Sequence, residues 1–258
     1  MLYKFLTYVN STSSGTTYSN IAYYISNNFS KILHMNLEEL ADACYVSQAT
    51  ISRFCRFLGF ESFTHFKMEC QRSLRDGERR INDIVSTISK GDEEFRKSFQ
   101  RYGDVIIKEL QSLMETMDVA QLDALLDRIH NTEDVALFGI HRCASVIQEL
   151  QFSFALKDKF VKAYAGSTHQ LECAKNLKKD SLAIVVTSSD GFWFEAHDVV
   201  DALAESPCYK ILLTTGRDGK RGEIFDEVIL IGSGKERGCA YTMMNYSETM
   251  ISRYFTKY

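Results

Sequence analysis

"VSQATISRFCRFLGF", Val46 to Phe60, decides how the first third of this chain is read. Its apolar residues Ile51, Phe54, Cys55 and Leu58 recur at helical spacing and define an inner face. Ser47 stands where an N-cap belongs, and Gly59 stands where a helix ends. The outward positions are Gln48, Ala49, Thr50, Ser52, Arg53 and Arg56, and no carboxylate occurs before Glu61. A helix that presents amide, hydroxyl and guanidinium groups without any acid suits a polyanion.

The preceding stretch supplies a partner helix. In "NLEELADACY" (Asn36–Tyr45), Leu37, Leu40, Ala41 and Cys44 fall at i, i+3, i+4 and i+7. Asn36 is a good N-cap, and Glu39 three residues on completes a variant capping box. Two short helices on either side of the break Cys44–Val46 have the sequence shape of a helix-turn-helix. The break holds Tyr45 where such turns often hold glycine. A bulky residue is disfavoured at positive φ, so a different turn geometry is expected.

On this reading the N-terminal residues of the second helix meet base edges in the major groove of double-stranded DNA. Gln pairs with adenine, Arg with guanine, and a Thr or Ala methyl touches thymine. Ser47 and Arg56 are placed for phosphates. Between Ser47 and Arg75 the net charge is +3, inside a chain whose total is −4. The total argues against general polyanion binding, whereas the local balance allows one small DNA-reading surface. The competing reading is a plain helical bundle with a solvated polar face.

The 258 residues allow one large domain or two modest ones. Residues 1–76 read as helices only, with "YSNIAYYISNNF" (Tyr18–Phe29) placing Ile21, Tyr24, Ile25 and Asn28 on one face. A polar stretch at 77–104 reads as a linker with some helical content. Residues 105–258 open with two amphipathic helices and then change grammar. "DVALFGI", "FVKAY", "SLAIVVTSS", "YKILLTTG" and "EVILIGS" are short apolar runs, most of them separated by helical segments. That alternation predicts an α/β doubly wound fold with a buried parallel sheet. The closing helix carries aromatics expected to be exposed and to face a partner subunit.

The seven cysteines are scattered, with no CxxC pair, so free thiols in a reducing cytosol are expected. No run reaches a membrane span of roughly 20 apolar residues, and the apolar start lacks a signal-peptide pattern, so a cytoplasmic protein is expected. His169 and Cys173 at i, i+4 are half a metal site without further ligands. Neither a metal nor a cofactor is expected.

"NLEELADACYVSQATISRFCRFLGFESFTHFKMECQ" (residues 36–71) resembles the N-terminal domain of RpiR-type bacterial transcription regulators. The shared pattern is L-A-x-x-x-x-V-S-x-A-T-I-S-R-F-x-x-x-L-G-F-x-x-F-x-x-F-K, and the likeness covers roughly the first 75 residues. The resemblance implies a DNA-binding domain followed by a sugar-isomerase (SIS) domain that binds phosphosugars and often dimerises. In that family the first strand ends in G-x-G-x-S. Here the loop reads "GIHRC": Gly139 stays, His141 replaces the second Gly and Cys143 the Ser, with Arg142 between them. The family's phosphate loop S-x-S-G-x-T-x-E here reads "SSDGFWFE". Ser188, Gly191 and Glu195 match, Ser189 takes a variable position, Asp190 replaces Ser and Trp193 replaces Thr.

Such loops hold phosphate with hydroxyls and helix N-terminal N–H groups. Two hydroxyls are missing here, and Asp190 places a negative charge in the loop. The expectation is a neutral or cationic sugar-like ligand, with Trp193 stacking on it, or a site that has lost its ligand in a domain that only dimerises. Arg142 suits either an anionic ligand or a surface ion pair. Glu195 and His197 read as an acid–base pair for a rival isomerase function, and a pure interaction scaffold is the third reading. The reading adopted is a regulator acting as a homodimer or higher homo-oligomer, on DNA and not at a membrane, that governs carbohydrate or aminosugar genes.

Overall fold

The computed structural model describes residues 2–12, 15–85, 92–188, 191–216, 222–232 and 240–258. They group into two compact units, residues 1–95 and 96–258.

The first unit is helical: α1 (Leu2–Ser11), α2 (Thr17–Asn27), α3 (Phe29–Ile32), α4 (Leu37–Ala43), α5 (Gln48–Phe57) and α6 (Phe63–Val85). The apolar stripes read from spacing form one core. Ile21 and Ile25 of α2, Leu40 of α4 and Ile51 and Phe54 of α5 are fully buried, along with Phe5 and Phe66. Phe54 stacks on Phe5 at 6.4 Å between ring centroids and meets the edge of Tyr18 at 5.3 Å. Burial of one such aromatic contributes about 3 kcal/mol, far more than the propensity of a ten-residue helix supplies. Lys67 of α6 donates from Nζ to the Met35 carbonyl at 2.7 Å, which fixes the entry to α4.

In the second unit, α7 (Asp92–Thr116, starting just before the division) and α8 (Val119–Asn131) precede an alternation of strands and helices. These are β1 (Val135–Phe138), α9 (Arg142–Ala155), β2 (Lys162–Ala163), α10 (Ser167–Lys175), β3 (Leu182–Thr187), α11 (Gly191–Glu195), α12 (His197–Glu205), β4 (Tyr209–Thr214), β5 (Glu227–Leu230) and α13 (Ala240–Lys257). The strands pair in parallel in the order β2-β1-β3-β4-β5. Their alternation splits the apolar residues between two cores. Val135, Leu137, Ile184, Val186, Ile211 and Leu213 pack under α8, α9 and α13. Ala136, Phe138, Ala183, Val185 and Leu212 pack under α10, α11 and α12. Helices therefore cover both faces, as the continuous apolar strands require.

Two details differ from the expectation. The run "FVKAY" contributes only Lys162 and Ala163 to the sheet. The aromatics of α13 are not all surface: Tyr246 and Tyr254 are buried, whereas Tyr241 and Phe255 are exposed. Tyr254 is held inside by Phe154, whose ring it meets at 4.7 Å, and by a 2.9 Å hydrogen bond with His130 Nδ1.

Candidate functional site

In the first unit, α4 and α5 meet through a tight turn. The capping box at Asn36 is formed: its side chain accepts from Glu39 N at 2.9 Å, and Glu39 Oε2 accepts from Asn36 N at 2.7 Å. Helix α4 ends in a Schellman motif, with Tyr45 N on Asp42 O at 3.0 Å and Val46 N on Ala41 O at 2.9 Å. That motif requires a left-handed residue, and Tyr45 takes it at φ 54°. The glycine-like turn is thus made by tyrosine, which corrects the expectation of a different geometry. Ser47 then caps α5 by accepting from Thr50 N at 3.2 Å.

With Ile51, Phe54 and Cys55 buried, the opposite face of α5 is fixed. Ser47, Gln48, Ala49, Arg53 and Arg56 are exposed, and Thr50 and Ser52 are half-buried beside them. The Arg53 guanidinium folds back along the helix to Ala49 O at 3.3 Å and Thr50 Oγ1 at 3.4 Å. This face carries donors, two guanidiniums and no carboxylate.

In the second unit the chain reverses its winding at β1, with β2 on one side and β3 on the other. A doubly wound sheet opens a crevice at the carboxyl ends of the strands at that switch point. Both loops singled out in the sequence start there, Gly139–Cys143 after β1 and Ser188–Glu195 after β3. The structure therefore brings Gly139, His141, Cys143, Ser188 and Glu195 to one crevice. Ser189 and Asp190 lie outside the described residues.

His141 occupies φ 55°, ψ −122°, the first central position of a II′-type turn closed by Cys143 N on Ile140 O at 3.1 Å. Glycine normally takes that position, and a histidine there is strained. Its Nε2 lies 2.7 Å from Glu195 Oε1, joining the two loops across the crevice. Cys143 is buried and its Sγ lies 3.8 Å from Ser188 Oγ. Burial pushes the Cys143 thiol up, so it stays protonated at neutral pH. A Cβ on Gly139 would sit 3.2 Å from the Cys143 backbone, which is why glycine stands there.

A model of the rpiR-family helix-turn-helix domain matches residues 3–77. A transcriptional regulator of helix-turn-helix type from Caldanaerobacter subterraneus subsp. tengcongensis is 25% identical over 204 residues, which is 79% of this chain and 71% of the relative. HexR of Pseudomonas aeruginosa is 25% identical over 167 residues, 65% of this chain and 57% of HexR. Residues 3–77 carry a helix-turn-helix domain of the rpiR family, and most of the chain is similar to transcriptional regulators of helix-turn-helix type. Its fold resembles that of the Vibrio vulnificus NanR protein complexed with ManNAc-6P, at 16% identity and TM-score 0.52, over the whole of this chain and 92% of that one. A Listeria monocytogenes protein of the sugar-phosphate isomerase type matches 66% of this chain and 93% of its own length at 13% identity and TM-score 0.51. The second unit accordingly shares the α/β fold of these structures.

Two expectations for the crevice are corrected. Trp193 is 5% exposed, wedged edge-to-face between Phe192 and Phe225, so its ring belongs to the core and is not available to stack on a ligand. Glu195 does not pair with His197. The latter lies 2.6 Å from Asp198 on the surface, and Glu195 faces His141 instead. Arg142 is exposed at the first turn of α9.

Gln170 of α10 is a further crevice residue, outside the two loop motifs. It is fully buried, donates from Nε2 to Gly139 O at 2.9 Å and Tyr164 O at 2.7 Å, and accepts from Gly139 N at 3.3 Å. It braces the first loop as a peptide group would. A glutamine on an amphipathic helix gives no sequence signal for that role.

Proposed function

We propose that this regulator binds a roughly palindromic operator as a homodimer, with the α5 face reading bases and the SIS-type unit sensing a sugar-related metabolite. The observation that carries the proposal is the α5 face itself. Its inner residues are locked in a core, its N-cap is made, and its outer surface shows amide, hydroxyl and guanidinium groups without an acid. Gln48, Ala49, Thr50, Ser52 and Arg53 meet bases, while Ser47 and Arg56 meet phosphates. The functional domains are residues 1–76 and 105–258, joined through 77–104.

The ligand is assigned to the crevice between Gly139–Cys143 and Ser188–Glu195. NanR with ManNAc-6P supports an aminosugar-like class. The Glu195 carboxylate beside His141, together with Cys143 and Trp193 in place of hydroxyls, favours a neutral or cationic form over a phosphate ester. A protonated, buried Cys143 and a surface-paired His197 are poor material for isomerase chemistry, so the unit acts as a sensor and not as an enzyme. Action on an operator places the protein in the cytoplasm with the chromosome; among the described residues no helix is long and apolar enough to cross a membrane. Phe152, Leu156 and Phe160 are each at least 60% exposed on and just after α9, a surface suited to a second copy.

Selection of host genomic fragments by the full-length protein at near-physiological salt tests this function. Enrichment of a few palindromic sites supports it. Retention that is only non-specific and salt-sensitive contradicts it.

A further inference from the structure

Tyr45 is 96% exposed and sits at φ 54° in the turn between α4 and α5. Left-handed backbone is costly for a bulky side chain, and exposure on this scale returns no packing within the molecule. The same unit shows what the geometry alone demands. Helix α5 ends in an identical pair of hydrogen bonds, Gly59 N on Arg56 O and Phe60 N on Cys55 O, each 2.9 Å, with Gly59 at φ 90°. Where only a Schellman turn is needed, this chain uses glycine. Tyrosine stands at the other such turn, two residues before the Ser47 N-cap, at the end of α5 that enters the groove.

We propose that Tyr45 is a positioning residue for DNA, its phenol hydroxyl donating to a backbone phosphate beside the groove that α5 enters. This rests on the DNA-reading role of α5. A phosphate contact fixes register and orientation and carries no base information. The strain is thus a stability cost kept for a contact made only in the complex.

The test uses the full-length protein with Tyr45→Phe and Tyr45→Gly. The probes are a duplex selected by the wild type from a random pool and an unselected duplex of equal length. Anisotropy gives affinity at one fixed salt concentration, and thermal melting gives stability. The Gly variant should melt about 4 °C higher, since the strain is relieved. It should bind both duplexes roughly ten-fold more weakly, the loss of one hydrogen bond to a charged group. The Phe variant should melt like the wild type and lose affinity to a similar extent. Variants that bind both duplexes like the wild type overturn the contact, and a loss confined to the selected duplex overturns its assignment to phosphate. A wild type that retains neither duplex overturns the DNA-reading role itself.

Discussion

His141 Nε2 and Glu195 Oε1 lie 2.7 Å apart across the crevice between β1 and β3. The contact ties a strained turn to the opposite loop, and both sides are half-buried. The strain and the contact offset one another, and two variants separate them. His141→Ala keeps most of the backbone strain and loses the contact, so it should destabilise the second unit by about 1–3 kcal/mol. His141→Gly loses the contact but relieves the turn, so it should fall within about 1 kcal/mol of the wild type. Urea unfolding of both variants measures the difference. Equal losses would show that His141 is not strained.

At the amino ends of the strands, opposite the crevice, Asp134 accepts from Ser181 Oγ at 2.7 Å and pairs with Lys162 Nζ at 2.5 Å. This clamp ties the starts of β1, β2 and β3 together. Burial alone would raise the Asp134 carboxyl, but hydrogen bonds from Lys162 and Ser181 outweigh it and hold the group below the usual carboxylate range. A depressed folded pKa contributes stability above the unfolded value near 4, and that stability is lost as pH falls through the folded one. Lys162 is raised by the same partner, so its share persists at neutral pH and fades only in strong alkali. Both groups are partly exposed, so the expected contribution is about 1 kcal/mol after solvent screening. Unfolding free energies measured from pH 6 down to pH 3 should fall more steeply for the wild type than for Asp134→Asn. Parallel curves would remove Asp134 from the acid limb.

The exposed α9 surface gives a test of assembly. Phe152 is 60% exposed and Leu156 61%, one turn apart. A charge placed at the centre of an apolar interface is costly to desolvate. Phe152→Glu should therefore weaken self-association by roughly ten-fold or more while leaving the fold intact, as read by analytical ultracentrifugation. A variant that associates like the wild type would move the interface elsewhere.

The parts of the chain that were legible in the sequence are those where one residue type satisfies one local rule. Asn36 with Glu39 and Ser47 announced two helix starts because caps are local hydrogen-bonding problems. Leu40, Ile51 and Phe54 announced the core because helical spacing is local as well. The parallel sheet followed from apolar runs separated by helices, whereas its strand order is read only from the structure. Crevice chemistry was less legible, because it depends on partners far apart in the chain. Glu195 lies two residues from His197 in sequence but pairs with His141 instead, 54 positions away. Trp193 stands in a loop motif, yet α11 turns it into the core beneath α10, α11 and α12. Gln170 reaches Gly139 only once β1 and α10 are packed.

If α5 reads sequence, Arg53→Ala removes a base contact from the specific complex. Binding of the full-length protein to a selected palindromic duplex and to an unselected one would be compared at one salt concentration. Loss of a guanidinium bidentate to guanine costs about 1–3 kcal/mol at the specific site. Affinity for the palindrome should fall by roughly 10- to 100-fold, with a much smaller change on the unselected duplex. A folded Arg53→Ala protein that keeps wild-type affinity and preference would contradict the placement of α5 in the groove.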